Sequence, residues 1–523
     1  MVVLVGLLLS LTGTAQGKER LIVKFADQQL RAQMLSEHPQ PGRLIPLGRE
    51  TGLIMRQLRP MSGGFDVVTV EGVEDAEQAL EILRRHPAIR SVEIDRRVYP
   101  MVEPNDPLYA KQWALQSVDP SIPRYGIDMP AAWDRFTGEN NPVRVAVIDT
   151  GLLLDHPDIA GRWVGGYDFI SNEVIANDGD GRDDNPSDPG DWVSEEDREN
   201  HSEFENCPVS DSSWHGTLVA GIIAAASNNG EGIAGIQWGG PAIVPVRVLG
   251  KCTGFLSDLV DAMTWSVGLA VPGVPKNPYP ARILNVSLGA YGRCDESPSM
   301  RAAVEAVHKA GGVIVAAAGN DNKNLDDEPM MPASCEGVLV ITATGKRGQR
   351  AWYANFGSSV TLAAPGGDDE EKRSLIFSTA DKGILSTSNN GTREPEQSNY
   401  EYVQGTSFAV PHVSGVISLM LGINPELTRH QITQILTETA TPFPTYATKT
   451  DLNCSTDLCG AGILNAGQAL ARVQDGPLPS PEPEPEPEPE IKSAPSGGGG
   501  AFSLPGLIVI MLVLLFARRH WVV

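Results

Sequence analysis

The alternation of short apolar strand candidates with helical stretches constrains the fold of this chain more than any other feature. The strand candidates are rich in valine, isoleucine and alanine. They lie at residues 143–148, 242–248, 282–286, 313–318 and 338–342, and the helical stretches lie at residues 216–226, 258–267 and 300–309. Strands that alternate with helices favour a largely parallel sheet covered on both faces. The sequence therefore predicts a three-layer α/β domain.

Three motifs place a carboxylate, an imidazole and a hydroxyl beside glycines. Asp149 lies in Val-Ile-Asp-Thr-Gly, His215 opens His-Gly-Thr-Leu-Val-Ala-Gly, and Ser407 lies in Gly-Thr-Ser-Phe-Ala-Val-Pro-His-Val. A serine becomes a nucleophile when an imidazole accepts its proton, and a carboxylate orients that imidazole. Taken singly, these residues could be a turn aspartate, a core histidine and a helix cap. Their joint occurrence indicates nucleophilic catalysis.

On these motifs the chain resembles the subtilisin-like serine proteases, the subtilases of peptidase family S8, which have the same order of acid, histidine and serine. The resemblance implies that Ser407 is the nucleophile, that His215 acts as base and then as acid, and that Asp149 orients His215. It also implies that Asn320, after the apolar run 311–319, donates to the oxyanion of the tetrahedral intermediate. The other interpretation of Asn320 is a loop or C-cap residue.

The resemblance also assigns two walls of a primary substrate pocket. One wall is Ser287, Leu288 and Gly289, and the other is Ala317, Ala318 and Gly319. Both walls are small and uncharged, which favours an apolar substrate side chain over lysine or arginine. Because an extended peptide bound by strand addition is recognised mainly through its main chain, broad specificity is expected.

An acidic insertion, residues 171–211, separates Asp149 from His215. It holds 14 acidic and two basic residues, a net charge of -12 within a chain total of -24. Five aspartates alternate with turn residues, in a pattern that suits a hard cation with oxygen ligands. They are Asp178, Asp180, Asp183, Asp188 and Asp191. Since secreted subtilases often carry calcium on such loops, structural Ca²⁺ is favoured over a merely solvated loop.

A second structural Ca²⁺ site is implied by the resemblance. Asp158 follows a His-Pro pair as in the family, and the loop 228–233 resembles the family's calcium-binding loop. Asp158 and Asn229 would supply side-chain oxygens, and the loop backbone would supply carbonyls. No catalytic cofactor is implied.

Six cysteines indicate an oxidising compartment and allow several disulfide pairings. Sequence separation and family-like placement favour Cys207 with Cys252, Cys294 with Cys335, and Cys454 with Cys459. None lies beside His215 in sequence, so all six are interpreted as structural. The strongly negative net charge argues against nucleic acid as a partner, because a phosphate backbone attracts basic surfaces.

The N-terminal part of the chain has the pattern of a secreted zymogen. Residues 1–16 are an apolar run followed by small residues, as in a signal peptide, although no lysine or arginine precedes the run. A buried first strand is the alternative. Residues 18–102 predict a small α+β domain of strand, helix, strand, helix and strand. It resembles a propeptide that acts as chaperone and inhibitor of the catalytic domain at residues 103–473. A permanent N-terminal domain is the alternative.

The C-terminal part predicts a linker and a short membrane segment. Residues 474–500 contain Pro-Glu repeats and a glycine run, which indicate a disordered spacer with a flexible hinge. Residues 501–523 are an apolar stretch with a basic end, barely long enough to form a transmembrane helix. A buried core helix is the alternative.

Together, the glycine run, the apolar helix and the arginine pair resemble the GlyGly-CTERM sorting signal of Gram-negative secreted proteins. The resemblance implies cleavage by a rhombosortase-type protease and delivery to the cell surface or medium. Without that cleavage the helix would be a permanent anchor.

The function expected from these observations is a secreted serine endopeptidase that acts on proteins and peptides. Two other functions stay open. One is a catalytically silent binding protein displayed at the surface on the same scaffold. The other is a membrane-tethered processing protease of narrow specificity.

Overall fold

The computed structural model describes residues 19–480, apart from residues 30, 33–43, 72, 74–75, 96–101, 120, 123, 371–376 and 446–452. The predicted signal peptide and the apolar C-terminal segment lie outside the described residues. Most of the Pro-Glu linker and residues 96–101, near the end of the predicted propeptide, lie outside them as well.

An antiparallel sheet of four strands forms the N-terminal region, in the order β2-β3-β1-β4. Its elements are β1 (Glu19–Phe25), α1 (Ile45–Thr51), β2 (Ile54–Met61), β3 (Phe65–Glu71), α2 (Ala76–Arg84) and β4 (Ile89–Ile94). Alternate residues Leu21, Val23 and Phe25 point into a core that also contains Leu80 and Leu83 of α2. The α+β pattern is as expected, except that β2 was not predicted. Met55 is the one fully buried residue of β2, so this strand lacks the apolar alternation by which a strand is recognised in a sequence.

A parallel sheet of seven strands forms the centre of the larger region, in the order β13-β12-β10-β8-β5-β7-β6. The strands are β5 (Val145–Asp149), β6 (Tyr167–Asp168), β7 (Ile243–Arg247), β8 (Ile283–Val286), β10 (Val313–Ala317), β12 (Leu339–Thr344) and β13 (Leu362–Pro365). Two antiparallel pairs accompany it: β9 (Ala290–Tyr291) with β11 (Met330–Met331), and β14 (Ile384–Asn389) with β15 (Ser398–Val403). The predicted parallel α/β fold is confirmed.

Helices cover both faces of this sheet. They are α3 (Met129–Trp133), α4 (Glu173–Ala176), α5 (Glu195–Asn200), α6 (His215–Ala224), α7 (Leu256–Ser266), α8 (Pro298–Lys309), α9 (Thr406–Ile423), α10 (Arg429–Glu438), α11 (Thr456–Cys459) and α12 (Ala466–Asp475). Val145 and Val147 of β5 pack in the core that contains α6 and α9. Ala146 and Ile148 pack on the opposite face, in the core that contains α7 and α8. One strand thus joins two apolar cores, as a buried parallel strand should.

The central helix α9 is long and apolar enough to cross a membrane, and within the described residues it is the single helix with that property. Its 18-residue window is 94% buried inside the protein. It is therefore a core helix of the sheet domain, and its apolar composition follows from burial on all sides.

Three disulfides join the pairs that the sequence favoured: Cys207 with Cys252, Cys294 with Cys335, and Cys454 with Cys459. The first links the acidic insertion to the loop after β7 across 45 residues of sequence. In the chain-entropy model, a closed loop of this length stabilises the fold by about 4 kcal/mol. The insertion is therefore tied to the sheet domain at the end nearest His215.

Candidate active site

Polar residues gather at the carboxyl edge of three neighbouring strands. In the sheet, β5 pairs with β8, and β8 pairs with β10, all in parallel. Asp149 is the last residue of β5, Ser287 follows β8, and Asn320 lies three residues after β10. Ligands of open α/β sheets bind outside the carboxyl ends of the strands. The topology alone therefore brings these three side chains to one edge.

Asp149 and His215 are joined by a hydrogen bond of 2.8 Å between Oδ1 of the carboxylate and Nδ1 of the imidazole. The same oxygen accepts from the backbone N–H of Thr150 at 2.8 Å. Asp149 is fully buried, and among the described residues its Oδ2 has no hydrogen-bond partner. A positive charge on the imidazole beside it is stabilised by this buried carboxylate.

The pKa of His215 is raised above its ordinary value of 6.5. Burial is the largest influence and lowers the pKa, but the charge and hydrogen bond of Asp149 outweigh it, with further contributions from Asp191 and Asp188. The site therefore favours the imidazolium, which is the form that appears when histidine accepts a proton from a nucleophile.

Local backbone geometry explains how His215 reaches Asp149. Trp214 precedes α6 in a left-handed conformation with φ of 53°, and its ring nitrogen donates to the carbonyl of Gly391 at 2.9 Å. A Cβ on Gly216 would overlap the carbonyl oxygen of Gly151. The glycines of the two motifs thus allow the helix start and the strand end to approach closely.

Ser407 lies in the first turn of α9, where a proline changes the hydrogen bonding. Pro411 has no N–H, so the carbonyl of Ser407 lacks its usual helical donor four residues ahead. Ser287 Oγ donates to that carbonyl at 2.8 Å, and Ser407 Oγ donates to the carbonyl of Ser287 at 3.0 Å. This reciprocal pair fixes the start of α9 against the end of β8.

The hydroxyl of Ser407 is therefore bonded to Ser287 and not to the imidazole in this state. The rings of His215 and Phe408, the residue after Ser407, have centroids 5.3 Å apart. Transfer of the Ser407 proton to His215 needs a rotation of the serine side chain. Catalytic hydrogen bonds often form only when substrate is bound.

Asn320 is oriented by the residue before Ser407. Its Oδ1 accepts from both the backbone N–H and the hydroxyl of Thr406, each at 2.8 Å. Because the oxygen is held in this way, Nδ2 is the group that can donate to a ligand. An amide donor beside a nucleophilic serine is suited to bind an oxyanion.

The two predicted pocket walls also lie on neighbouring strands. Gly289 follows β8, Gly319 follows β10, and the side chain of Met330 lies between them. A Cβ on Gly289 would lie 3.1 Å from Met330 Cε, and a Cβ on Gly319 would lie 2.6 Å from Met330 Sδ. Met330 therefore lies close to the glycine of each predicted wall. Sequence analysis missed it because nothing in the sequence links residue 330 to either wall.

The five aspartates predicted as calcium ligands do not form one cluster. Asp178 forms an ion pair with Arg247, and Asp180 is exposed. Asp188 and Asp191 bond to Thr150 and Ser213 beside the site described above. Among the described residues, no three His, Cys, Asp or Glu side chains are grouped so that they could hold a metal ion. Within the insertion, Asp178, Asp188 and Asp191 thus have protein partners, and calcium binding there stays a prediction.

At the second predicted calcium site, oxygens do converge. Asp158 Oδ1 accepts from Asn229 Nδ2 at 3.2 Å, and Oδ2 accepts from the N–H of Ile233 at 3.0 Å. Asp106, which sequence analysis missed, accepts from the N–H of Asn228 at 2.7 Å. Burial raises the pKa of both carboxyl groups, and the charge of Asp158 raises that of Asp106 further. Two buried, mutually repelling carboxylates beside an amide fit an oxygen-coordinated cation.

Comparison with known proteins gives a consistent result. The family model of the subtilase family, peptidase S8, matches residues 140–465. The chain is 36% identical to the extracellular protease of Xanthomonas campestris over 88% of its length and 74% of that protein. It is 38% identical to the extracellular basic protease of Dichelobacter nodosus, over 82% of this chain and 67% of that protein. A solved protease from Pseudoalteromonas arctica is 41% identical, with a TM-score of 0.62 over 71% of this chain and 100% of that one.

Proposed function

The chain belongs to the subtilase family of serine endopeptidases, and we propose that Ser407, His215 and Asp149 carry out its peptide-bond hydrolysis. The observation that carries this assignment is the 2.8 Å bond from the imidazole to a buried carboxylate, next to the helix that has Ser407 in its first turn. The oxyanion donor that we propose is Asn320, whose amide oxygen is already held by Thr406.

The reaction follows from these contacts. Ser407 Oγ leaves the carbonyl of Ser287, passes its proton to Nε2 of His215 and attacks the substrate carbonyl carbon. The resulting oxyanion accepts from Asn320 Nδ2, while the charge of Asp149 stabilises the imidazolium. His215 then gives its proton to the leaving amine, and the acyl-enzyme forms. A water molecule, deprotonated by His215, then attacks the acyl carbon, and His215 returns the proton to Ser407 Oγ as the ester bond breaks and the acid product leaves.

Substrate selection would depend on the pocket beside Met330. Its walls, Ser287–Gly289 and Ala317–Gly319, carry no charge, and Met330 is apolar and flexible. An apolar substrate side chain would therefore be preferred. Broad specificity follows if the rest of the peptide is held mainly by backbone pairing. A narrow processing protease would instead reject most apolar residues in a peptide-library cleavage profile.

Labelling with a fluorophosphonate probe tests the proposed function. We expect the secreted chain to react covalently at Ser407, because the probe needs an activated serine beside an oxyanion donor. Intact-mass measurement and peptide mapping locate the adduct. A catalytically silent binding protein on the same scaffold would stay unlabelled while its thermal unfolding remained cooperative.

The proposed route to the extracellular space rests on the relatives and on the sequence. The proteins from X. campestris and D. nodosus are named extracellular proteases, which supports secretion. We further propose that residues 18–102 are a propeptide that inhibits the catalytic domain until they are cut away. The C-terminal sorting segment and its removal by a rhombosortase-type protease are part of the same proposal.

Structural calcium at Asp158 is the cofactor that we propose, with Asp106 and Asn229 as further side-chain ligands. The ion would neutralise two buried carboxylates that otherwise repel each other. It has no role in the chemical step. Calcium at Asp178, Asp180, Asp183, Asp188 and Asp191 of the acidic insertion stays a separate prediction, and there Asp188 and Asp191 accept hydrogen bonds from Thr150, Gly190 and Ser213.

Removal of calcium is expected to lower the melting temperature of the mature enzyme. An ion at about 100 times its Kd stabilises the folded state by about 2.7 kcal/mol, which corresponds to several degrees. Calorimetry in calcium and in EDTA measures the difference. In Asp158→Asn the melting temperatures in calcium and in EDTA should be equal. In Asp180→Asn, a variant in the acidic insertion, the difference between the two buffers should remain. Equal melting temperatures of the wild type in the two buffers would contradict the site.

A further inference from the structure

We propose that the acidic insertion positions the proposed general base, with Asp191 and Asp188 holding the first turn of α6 through Ser213 and Thr150. The inference rests on the proposed function of His215 and deepens it. In the described contacts, neither aspartate is hydrogen-bonded to the imidazole nitrogens of His215. They are positioning residues, which hold the helix that carries His215 through Ser213 and Thr150, in addition to the effect of their charges on its pKa.

The first link runs from Asp191 to the backbone of His215. Asp191 Oδ1 accepts from the N–H of Ser213, and Oδ2 accepts from its hydroxyl, both at 2.6 Å. The hydroxyl oxygen of Ser213 in turn accepts from the N–H of His215 at 3.3 Å. One carboxylate therefore fixes the residue that precedes Trp214 and, through it, the first amide of the helix.

The second link runs from Asp188 to the next residue of the helix. Buried Asp188 accepts at Oδ2 from the hydroxyl of Thr150 at 2.7 Å, and at Oδ1 from the N–H of Gly190 at 2.9 Å. Thr150 Oγ1 accepts from the N–H of Gly216 at 3.0 Å. Thr150 also donates its own N–H to Asp149, so this link joins both partners of the Asp149–His215 pair.

The two links satisfy backbone groups that a helix leaves without partners. The first N–H groups of an α-helix have no acceptor within the helix, and α6 has no side-chain cap from Trp214. Ser213 and Thr150 take the place of that cap, and the two aspartates orient their hydroxyls. Because His215 is the first helical residue, the direction of its side chain depends on this turn.

The position of the insertion supports a dedicated role. Its C-terminal end is held near the site, since Cys207 is bonded to Cys252 and Ser212, the residue after the insertion, donates to the carbonyl of Arg393. Asp188 and Asp191 repel each other, which is unfavourable in a buried place unless their hydrogen bonds compensate. Arg247, which also pairs with Asp168 and Asp178, is the cation that faces Asp188.

Kinetics of single variants test the proposal. In Asp191→Asn one of the two bonds to Ser213 is lost, since an amide nitrogen cannot accept. We expect kcat to fall by about 10- to 100-fold, because small displacements of a catalytic group have effects of this size. KM should change by less than about threefold, since the link runs to the helix that carries His215 and not to the proposed pocket walls. Ser213→Ala keeps the charges of Asp188 and Asp191 but removes the hydroxyl that links Asp191 to the N–H of His215. It should therefore lower kcat as well.

The matched control is Asp184→Asn. Asp184 is an exposed carboxylate of the same insertion and takes no part in either link. The variant removes one negative charge, as Asp191→Asn does, so its kcat should stay near the wild-type value. If Asp191→Asn and Ser213→Ala reduce kcat no more than Asp184→Asn does, the positioning role is wrong. If Asp191→Asn does not fold, the kcat of Ser213→Ala alone tests the positioning role. An inactive, unlabelled wild type would instead contradict the proposed function.

Discussion

Ser407→Ala is expected to reduce kcat for peptide hydrolysis by about a million-fold, the size of the loss when the serine of such a triad is removed. The reason is that no other described side chain at this edge can form the acyl-enzyme with His215 as its base. Fluorophosphonate labelling should disappear together with turnover. KM for a peptide substrate, where it can still be measured as binding, should stay near the wild-type value because the pocket walls are intact.

A suitable control for this variant lies on the same helix. Ser418 is buried, and its hydroxyl donates to the carbonyl of Gly415 within α9. Ser418→Ala should therefore leave kcat close to the wild-type value. If propeptide removal is autocatalytic, Ser407→Ala should also keep residues 18–102 attached, as intact-mass measurement would show. Full turnover in Ser407→Ala would exclude this residue as the nucleophile, and normal maturation would indicate that another protease makes the cut.

Asp149→Asn is expected to lower kcat by about 10,000-fold with little change in the fold. The amide can keep one acceptor for Thr150 or His215, but its NH₂ group enters a buried position where Asp149 Oδ2 has no partner in the part of the chain that the structure describes. The negative charge that stabilises the imidazolium is lost. The tautomer of His215 is then no longer fixed with Nδ1 as the donor.

The pH dependence of kcat/KM tests the role of Asp149 through the direction in which the acid limb shifts in Asp149→Asn. Activity needs neutral His215, so kcat/KM falls as pH drops through the pKa of His215. In the wild type that pKa is raised by the Asp149 charge and hydrogen bond, against the lowering effect of burial. Removing the charge lowers the pKa, so the acid limb of Asp149→Asn should shift to lower pH while its plateau falls.

Asp155→Asn provides the matched control, because Asp155 is an exposed carboxylate six residues away. The plateau and the acid limb of kcat/KM in Asp155→Asn should coincide with those of the wild type. An acid limb of Asp149→Asn that coincides with that of the wild type would mean that another group controls the protonation of the base.

Periodicity and composition were sufficient to predict the central architecture. The strands β5, β7, β8, β10 and β12 and the helices α6, α7 and α8 lie where the sequence pattern indicates. Each is an apolar run long enough to be recognised alone. By contrast, β13 and the hairpin of β14 with β15 were not predicted. In the hairpin, Ser386 and Thr387 are buried polar residues that donate to carbonyls of α6, so the apolar signal is absent.

The sequence by itself determined which chemistry is available: glycine-flanked motifs supply an acid, an imidazole, a hydroxyl and an amide, each tied to the end of a strand or the start of a helix. The tertiary structure alone decided which groups contact the carboxylates of the insertion. Asp188 and Asp191 accept from Thr150 and Ser213 beside His215, which their spacing did not indicate, while calcium binding by the insertion stays a prediction. Asp106 and Met330 likewise became part of sites only through long-range packing. The physical reason is that a local motif is fixed by neighbours in sequence, whereas the partner of a carboxylate depends on which distant donors the fold brings within hydrogen-bond distance.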